Sequence, residues 1–278
     1  MLAPTPPPSG WAPPESAEFT AFAAMAAGST AHLWMFRANA VSATATGDGQ
    51  RVNFAYDWMA PSDASRRAVC GGDPGVLLDT LGGIVCGVFD GNRASNTDNS
   101  RALTPHITFP EYTAAFLVYL DRNDVDTAED AACARDWRLK MRWGDQGYTV
   151  PHLRTGGNVY TSFGGSSAYQ EWTILLVQGR RSDNFCRVRR GGGSWITASL
   201  DGADPWMDTS VYNTVSYLGR GQFDVQAGRP MAGGIRSAIY LNRLTINETE
   251  EQTLVDMLTE GTSIEDTPPV DPPPPEGE

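Results

Sequence analysis

The sequence contains few residues of the kinds that form redox or transition-metal sites. It has four cysteines and three histidines, all widely spaced, with no C-x-x-C pair and no H-E-x-x-H pattern. Free, mostly buried thiols are therefore favoured over disulfides or zinc ligands, and structural or surface histidines over general bases. These residues are Cys70, Cys86, Cys133, Cys186, His32, His106 and His152.

Positive charge and long apolar runs are also scarce. The chain has 33 acidic against 21 basic residues, a net charge of -12, and Lys140 is its only lysine. An acidic surface repels phosphate backbones, so we expect no nucleic-acid partner. No run approaches the roughly 18 consecutive apolar residues that indicate a membrane span. The opening MLAPTPPPSGWAPP lacks the basic and apolar regions of a secretory signal, which predicts synthesis and folding in the cytoplasm.

Hydrophobic alternation with a period of two dominates the middle of the chain. Apolar and cationic residues alternate from Trp137 to Trp143, and Cys186 and Val188 alternate with arginines in the run from Asn184 to Arg190. The run from Trp172 to Val177 is continuously apolar, as in a strand that is covered on both faces. Further predicted strands are His32–Arg37, Val52–Trp58, Ile84–Asp90, Tyr112–Asp121, Thr214–Gly219 and Phe223–Gln226. With 29 glycines available for turns, residues 29–261 predict an all-β, two-sheet antiparallel sandwich.

The two ends of the chain differ in composition from this middle. Residues 1–28 combine a proline-rich arm with a short helix that Ser16 can cap, and residues 262–278 form an acidic, proline-rich tail. The arm and its helix have too few apolar groups for a core of their own, which predicts docking onto a partner. We expect a chain that starts near Ser29 to fold as a soluble sandwich without its anchor. The candidate docking residues are Trp11, Phe19, Phe22 and Met25.

The stretch from Gly233 to Gly261 reads as a glycine-led strand, a short turn and one amphipathic helix. Asn247 can cap this helix, and its apolar stripe contains Leu254, Val255 and Leu258. This succession resembles the end of the concanavalin A-like (laminin G-like) jelly rolls, whose last strand reads roughly G-x-I-x-x-x-x-Y-x-R-x-L. The matching residues are Gly234, Ile235, Tyr240, Asn242, Arg243 and Leu244.

Other segments occur in the order that the same family shows, so the resemblance covers residues 29–260. Ala31–Phe36 resembles the opening strand, and Val88–Gly91 resembles the strand that ends in F-D-G. Phe109–Leu120 and Glu171–Val177 resemble the two strands that follow. The resemblance implies an all-β jelly roll closed by one helix, a fold that hosts lectins, glucanases, adhesion modules and virion proteins.

The carboxylate patterns of catalysis are missing. Glycoside hydrolysis needs two carboxylates on either side of the scissile bond, and glucanases of this family carry them on one strand as E-x-D-x-E. Here Glu111, Glu129 and Glu171 lie far apart, and Gly164–Ser167 lacks the G-x-S-x-G elbow. We therefore predict a protein that is not an enzyme, with a glucanase or lyase of displaced active site as the alternative.

One loop region concentrates aromatic and acidic residues. Aromatic faces stack on pyranose rings and carboxylates bind sugar hydroxyl groups, which makes this region the candidate glycan site, although a core role for the tryptophans stays open. Its candidate glycan-binding residues are Trp195, Trp206, Tyr212 and Asp201. No cofactor is required, but calcium is a candidate because the loop offers several carboxylates. The candidate calcium ligands are Asp201, Asp204 and Asp208, and Asp121–Asp126 is a second acidic loop.

These inferences lead to one functional hypothesis. A lectin-like sandwich without a secretory signal can still reach extracellular glycans on a virion that is released by lysis. We therefore expect a bacteriophage virion-surface protein of the head-decoration, head-fibre or tail-fibre type, made in the host cytoplasm. Its expected partners are capsid or tail proteins, bound through residues 1–28, cell-surface glycans, and a second copy of the chain as a homo-oligomer. A purely structural virion component without a ligand is a further alternative.

Overall fold

In a computed structural model, the described part of the chain folds into seventeen β-strands and two α-helices. The structure describes residues 12–47, 49–72, 75–90, 101–105, 110–121, 130–133, 138–140, 152–154, 160–162, 170–197, 216–219, 231–245 and 247–266. The prediction of a mostly β chain with a closing helix is confirmed.

The elements follow one another along the chain in a regular order. The first helix and the strands of the first half are α1 (Ala17–Met25), β1 (Ala31–Met35), β2 (Val41–Thr46), β3 (Gly49–Ala55), β4 (Ala68–Gly71), β5 (Leu77–Leu81), β6 (Ile84–Asp90), β7 (Arg101–Thr104) and β8 (Glu111–Leu120). The second half contributes β9 (Asp130–Cys133), β10 (Arg138–Lys140), β11 (His152–Arg154), β12 (Tyr160–Ser162), β13 (Trp172–Arg180), β14 (Phe185–Arg190), β15 (Ile196–Thr197), β16 (Ser216–Leu218), β17 (Ala232–Leu241) and α2 (Glu248–Thr259). The predicted strand at Phe223–Gln226 lies outside the described residues.

Strand pairing joins these strands into one large antiparallel sheet. Strand β17 pairs with β8 along its length, with β6 through its first residues and with β1 through its last. On the other side of β8, the order continues through β13, β14 and β15. Because β17 connects both halves, the pairing does not divide the strands into two sheets, and the predicted two-sheet jelly-roll arrangement is not established.

The central strands are apolar on both faces. One set of alternate residues, including Trp34, Phe116 and Tyr240, lies in a core with side chains from β3, β4, β7 and β16. The other set, including Leu33 and Leu117, lies in a second core beneath the two helices. A strand covered on both faces has no polar alternation, which explains the continuous apolar run that starts at Trp172.

Both helices cover the second core, and both begin as the sequence predicts. The side chains of Ser16 and Asn247 cap the helices by accepting hydrogen bonds from the backbone N–H groups of Phe19 and Glu250, at 3.1 and 3.0 Å. Helix α1 buries Phe22 completely, and α2 buries Leu254 and its apolar neighbours. Neither helix in the described part of the chain has the length and apolar character needed to cross a membrane.

The folded unit is wider than the predicted middle segment of residues 29–261. Helix α1 packs on α2, and Ile264 packs against the second core. Residues 12–28 and 262–266 therefore belong to the same folded unit, and the rest of the arm and tail lies outside the described residues. A chain that starts near Ser29 would lack Phe22 and Ala26 and would expose part of the second core to solvent.

The cysteines and histidine that the structure describes have structural surroundings. Cys70, Cys86 and Cys186 are free thiols, and burial raises the pKa of Cys86 and of Cys186 to about 12. His32 is buried, with Nδ1 2.8 Å from a carboxylate oxygen of the fully buried Asp57. The same carboxylate accepts hydrogen bonds from the backbone N–H of Leu33 and from the Arg66 guanidinium. Asp57 thus links β1 to the segment after β3, which is a structural role.

The two-sided core leads to a prediction about α2. Replacing the fully buried Leu254 with alanine leaves a cavity, and the free energy of unfolding should fall by about 2–5 kcal/mol. The matched control is Gln252→Ala on the exposed face of the same helix, which should cost far less. Urea unfolding of both variants measures the difference. Equal values for the two variants would show that α2 does not cover a core.

Candidate functional site

An open cleft of about 650 Å³ lies where β14 meets α2. One wall is formed by the arginines of β14 and the glycine turn that follows them. The other wall is formed by the first half of α2 and by Asp266. The residues that line the cleft are Arg187, Arg189, Gly192, Gly193, Ser194, Trp195, Asn247, Glu248, Glu251, Gln252 and Asp266.

Strand alternation places two arginines on the helix side of β14. Cys186 and Val188 point into the first core, so Arg187 and Arg189 point to the opposite face, towards α2. The carboxylate of Glu251, only 5% exposed, faces them from the helix. Its oxygens lie 3.3 Å from Nη2 of Arg187 and 3.1 Å from Nη1 of Arg189. A carboxylate this deeply buried is stable only with such charged hydrogen-bond partners.

Trp195 is held rigidly at the cleft by the same cluster. Its indole N–H donates a hydrogen bond of 2.9 Å to Glu251 Oε2. The guanidinium of Arg187 lies 4.1 Å from the centre of the indole ring, in a cation–π contact. One ring face is therefore taken by Arg187, and the remaining part of the ring is half-buried at the wall of the cleft.

A buried polar chain anchors Arg187 from the side of the sheet. Its Nε donates a hydrogen bond of 2.7 Å to Oε1 of Gln178, which is fully buried on β13. The Gln178 amide in turn donates to the hydroxyl oxygens of Thr113, at 3.2 Å, and of Thr245. Each buried polar group of this chain has a partner, so the orientation of Arg187 is fixed before any ligand binds.

Asp266 lines the cleft together with Glu248 and Glu251, and its surroundings differ from those of Glu251. Its Oδ2 lies 2.5 Å from Nη2 of Arg189, whereas its buried Oδ1 has no hydrogen-bond partner among the described residues. Burial raises the pKa of Asp266 above its ordinary value, because an ionised carboxylate loses hydration, and the charge of Arg189 opposes this shift. The Arg189 guanidinium thus pairs with two carboxylates, and Glu251 accepts more hydrogen bonds than Asp266 does.

The structure describes only part of the predicted glycan site. Trp195 lines the cleft, as the hypothesis requires, although its indole N–H and one ring face are already engaged. The candidate glycan and calcium residues Trp206, Tyr212, Asp201, Asp204 and Asp208 lie outside the described residues. Within the described part of the chain, no three acidic, histidine or cysteine side chains come together as a metal site would need.

The candidate docking residues are divided between core and surface. Phe22 is fully buried in the second core, so it stabilises the chain's own fold and offers no contact to a partner. Phe19 packs edge-on against Trp58, with 5.5 Å between ring centres, and Met25 packs on the same core. Trp11 lies outside the described residues. Phe22, Phe19 and Met25 pack inward because helix α1 covers the apolar outer face of the sheet.

Sequence reasoning missed Glu251, Arg187, Arg189 and Asp266 as site residues. The sequence did contain a signal for Glu251. This residue precedes Leu254, Val255 and Leu258 by three, four and seven residues, which places it on the same face of the helix. A carboxylate in an apolar stripe needs a cationic partner, and the arginines of β14 were the available strand-face cations. Asp266 gave no such signal, because its proline-rich surroundings are typical of an unpacked tail.

Two of the glutamates that lie outside any catalytic pattern in the sequence form ion pairs with arginines in the structure. Glu171 pairs with the buried Arg190, and Glu111 lies 3.9 Å from Arg180 on the neighbouring strand. Glu129 lies outside the described residues. Glu111 begins β8, and Glu171 directly precedes β13, so both ion pairs lie at strand ends.

No protein-family model and no curated protein matches the chain. Its fold is similar to the fourth domain of an extracellular arabinanase from Geobacillus stearothermophilus, solved in complex with arabinotriose, at 15% identity and a TM-score of 0.43 over 65% of this chain and 79% of that one. For Trypanosoma rangeli sialidase in complex with sialic acid, the identity is 13% and the TM-score 0.45, over 82% of this chain and 33% of that one. For the enzymatically active domain of tailspike protein 2 of bacteriophage CBA120, the identity is 10% and the TM-score 0.44, over 71% and 30%.

These similarities concern the fold alone. The chain spans less than two thirds of the length of the sialidase and tailspike chains. The sequence resemblance to the concanavalin A-like family is not confirmed. The prediction that the protein is not an enzyme is contradicted, because similar solved structures include glycoside hydrolases and sialidases. The two carboxylates of a glycosidase need not lie on one strand, so the absence of an E-x-D-x-E pattern does not exclude catalysis.

The surroundings of Asp266 predict a pH dependence of stability. Because its pKa is raised in the folded state, Asp266 stabilises the fold at low pH, and this contribution is lost as the pH rises through the folded-state pKa. The stability of the wild type relative to Asp266→Asn should therefore decrease from about pH 4 upward. Urea unfolding at a series of pH values measures this difference.

The matched control is Asp183→Asn. A hydrogen bond from Arg180 lowers the pKa of the exposed Asp183, so the wild type should gain relative to this variant as the pH rises. A relative stability of Asp266→Asn that does not change with pH would contradict a raised pKa of Asp266 in the folded state.

Proposed function

We propose that the protein is carbohydrate-active and binds a saccharide in the cleft between β14 and α2. The observation that carries this proposal is the rigid Trp195 indole, fixed by Glu251 and Arg187 at the wall of a polar cleft. Carbohydrate sites combine an aromatic surface with a few fixed polar groups, and a cleft of about 650 Å³ falls in the size range of small-ligand sites.

The polar groups of the cleft match the hydroxyl groups of a sugar. Gln252 is exposed on α2, and its amide binds only the neighbouring Asp256 carboxylate, at 2.8 Å, in the described structure. Asp266 lines the same cleft, and its Oδ2 is the oxygen that pairs with Arg189. Both groups belong to the folded unit, so a saccharide would bind with little ordering of the protein.

We expect replacement of Trp195 by alanine to weaken saccharide binding by about tenfold or more, which is 1.4 kcal/mol. Because this variant also removes a partner of Glu251, Gln252→Ala serves as the milder second variant. The control is Ile196→Ala, an exposed neighbour that does not line the cleft. A glycan array identifies the ligand, and calorimetry measures each affinity. Unchanged affinity in the Trp195 and Gln252 variants would place binding elsewhere.

Hydrolysis is the second candidate function, and it rests on the two unlike carboxylates. Burial raises the pKa of Asp266, whereas the Glu251 carboxylate forms ion pairs with Arg187 and Arg189. Such a difference suits a general acid that protonates the leaving oxygen and a base that takes a proton from the attacking water. Reducing-end release from the array ligand tests it, and turnover by the wild type but not by Asp266→Asn supports it. If Asp266→Asn retains full turnover, this pair is not the catalytic one.

A virion-surface location, with head or tail proteins as partners, remains a proposal. It rests on the proline-rich composition of residues 1–28 and on Trp11, since Phe22 serves the protein's own core. A fixed proline-rich segment loses little conformational entropy on docking.

We predict that Trp11→Ala reduces incorporation into particles several-fold without changing the melting temperature. Quantitative immunoblotting of purified particles measures incorporation, with Glu15→Ala as the control in the same segment. Incorporation of Trp11→Ala at the wild-type level would contradict anchoring through this residue.

A further inference from the structure

A second cleft, of about 600 Å³, lies at the other end of α2 and has a different character. Its walls are the β5–β6 hairpin, the segment after β1 and the residues that follow α2. No acidic side chain is among the described residues that line it. These residues are Arg37, Ala38, Asn39, Gly83, Ile84, Val85, Arg236, Gly261, Thr262 and Ser263.

Two guanidinium groups converge in this cleft. Arg236 projects from the central strand β17 and is only 4% exposed. A Cβ atom at Gly261 would lie 3.4 Å from Nη1 of Arg37 and 3.8 Å from Nη2 of Arg236, so both groups border the same small space. The pKa of Arg236 is lowered to about 10, first by burial and second by the charge of Arg37. The two cations therefore repel each other at short range.

The described partners of Arg37 and Arg236 do not neutralise both of their positive charges. Arg236 donates to the backbone oxygens of Val85, at 3.0 Å, and of Phe36 and Glu260, both at 3.4 Å. These acceptors carry no net charge. Arg37 forms an ion pair with Glu260 and lies 4.6 Å above the Trp58 ring. One carboxylate therefore faces two guanidinium groups, and the Nε atoms of both have no hydrogen-bond partner among the described residues.

Excess charge in a partly buried site is costly unless an anion neutralises it. We propose that this cleft binds an oxyanion, a carboxylate or sulfate group, at Arg37 and Arg236. Arginine suits this role because its planar donors match both kinds of oxyanion. The site is separate from the saccharide cleft, so the two proposals can fail independently.

The test titrates the full-length protein with sulfate, glucuronate and neutral glucose, and follows backbone amide NMR signals at constant ionic strength. We expect saturable shifts at residues 83–85 and 261–263 with both anions and not with glucose. Binding of both anions indicates recognition of the oxyanion alone, and binding of glucuronate alone indicates recognition of a sugar acid. Either result supports the site.

Variants separate binding from general charge effects. Arg37→Gln should weaken anion binding by about tenfold, and Glu260→Gln should strengthen it several-fold, because the competing carboxylate is removed. A purely structural ion pair would not give this opposite response. Arg180→Gln, which removes an equal charge from an exposed pair with Asp183, should leave the affinity unchanged. No saturable shift in the wild type, an equal response to glucose, or an equal effect of Arg180→Gln would overturn the proposal.

Discussion

The burial of both faces of the central sheet is the constraint on which the remaining structure depends. Strand β17 is buried at every one of its ten positions, and β8 and β13 are largely buried on both faces. A sheet of this kind needs a cover on each face, since burial of apolar surface is the main stabilising term in folding. Strands β3, β4, β7 and β16 cover one face, and the helices α1 and α2 cover the other. The helices are therefore parts of the core and not appendages of it.

Both candidate sites follow from the way α2 lies on the sheet. Its first half brings Glu251 above the arginines of β14, where the charges must pair because they are buried together. Its end brings Glu260 beside Arg37 and, through a backbone oxygen, beside Arg236. Each end of the helix thus combines a carboxylate with two arginines. At the first end Glu248 and Asp266 add further carboxylates, whereas no described carboxylate lines the cleft at the other end. The two clefts therefore suit different ligands.

The sequence predicted those features that depend on local periodicity and on capping chemistry. The helix caps at Ser16 and Asn247, the apolar stripe of α2 and the two-faced strand at Trp172 were all readable, because each depends on neighbours a few residues apart. The division of the strands into sheets was not readable, because it depends on the pairing of β17 with β6, β8 and β1 over distances of 100 residues and more. The same limit applies to Phe22, whose spacing indicated an apolar helix face but not what would cover it.

The candidate site shows the same division between local and long-range information. Trp195 was readable as an aromatic residue near a glycine turn, whereas its partner Glu251 lies 56 residues further along the chain. The absence of a local motif could not exclude catalysis, because carboxylates from separate segments can share one cleft. Glu251 and Asp266 share Arg189 in this way, on a helix and on the segment that follows it.

A crystal structure of the full-length protein with its array-selected oligosaccharide tests most directly whether a saccharide binds between β14 and α2. We expect saccharide density against the Trp195 ring, with sugar hydroxyl groups within hydrogen-bond distance of Gln252 and Asp266. Saccharide density at the loop that contains Trp206 and Tyr212, with the β14–α2 cleft empty, would contradict it.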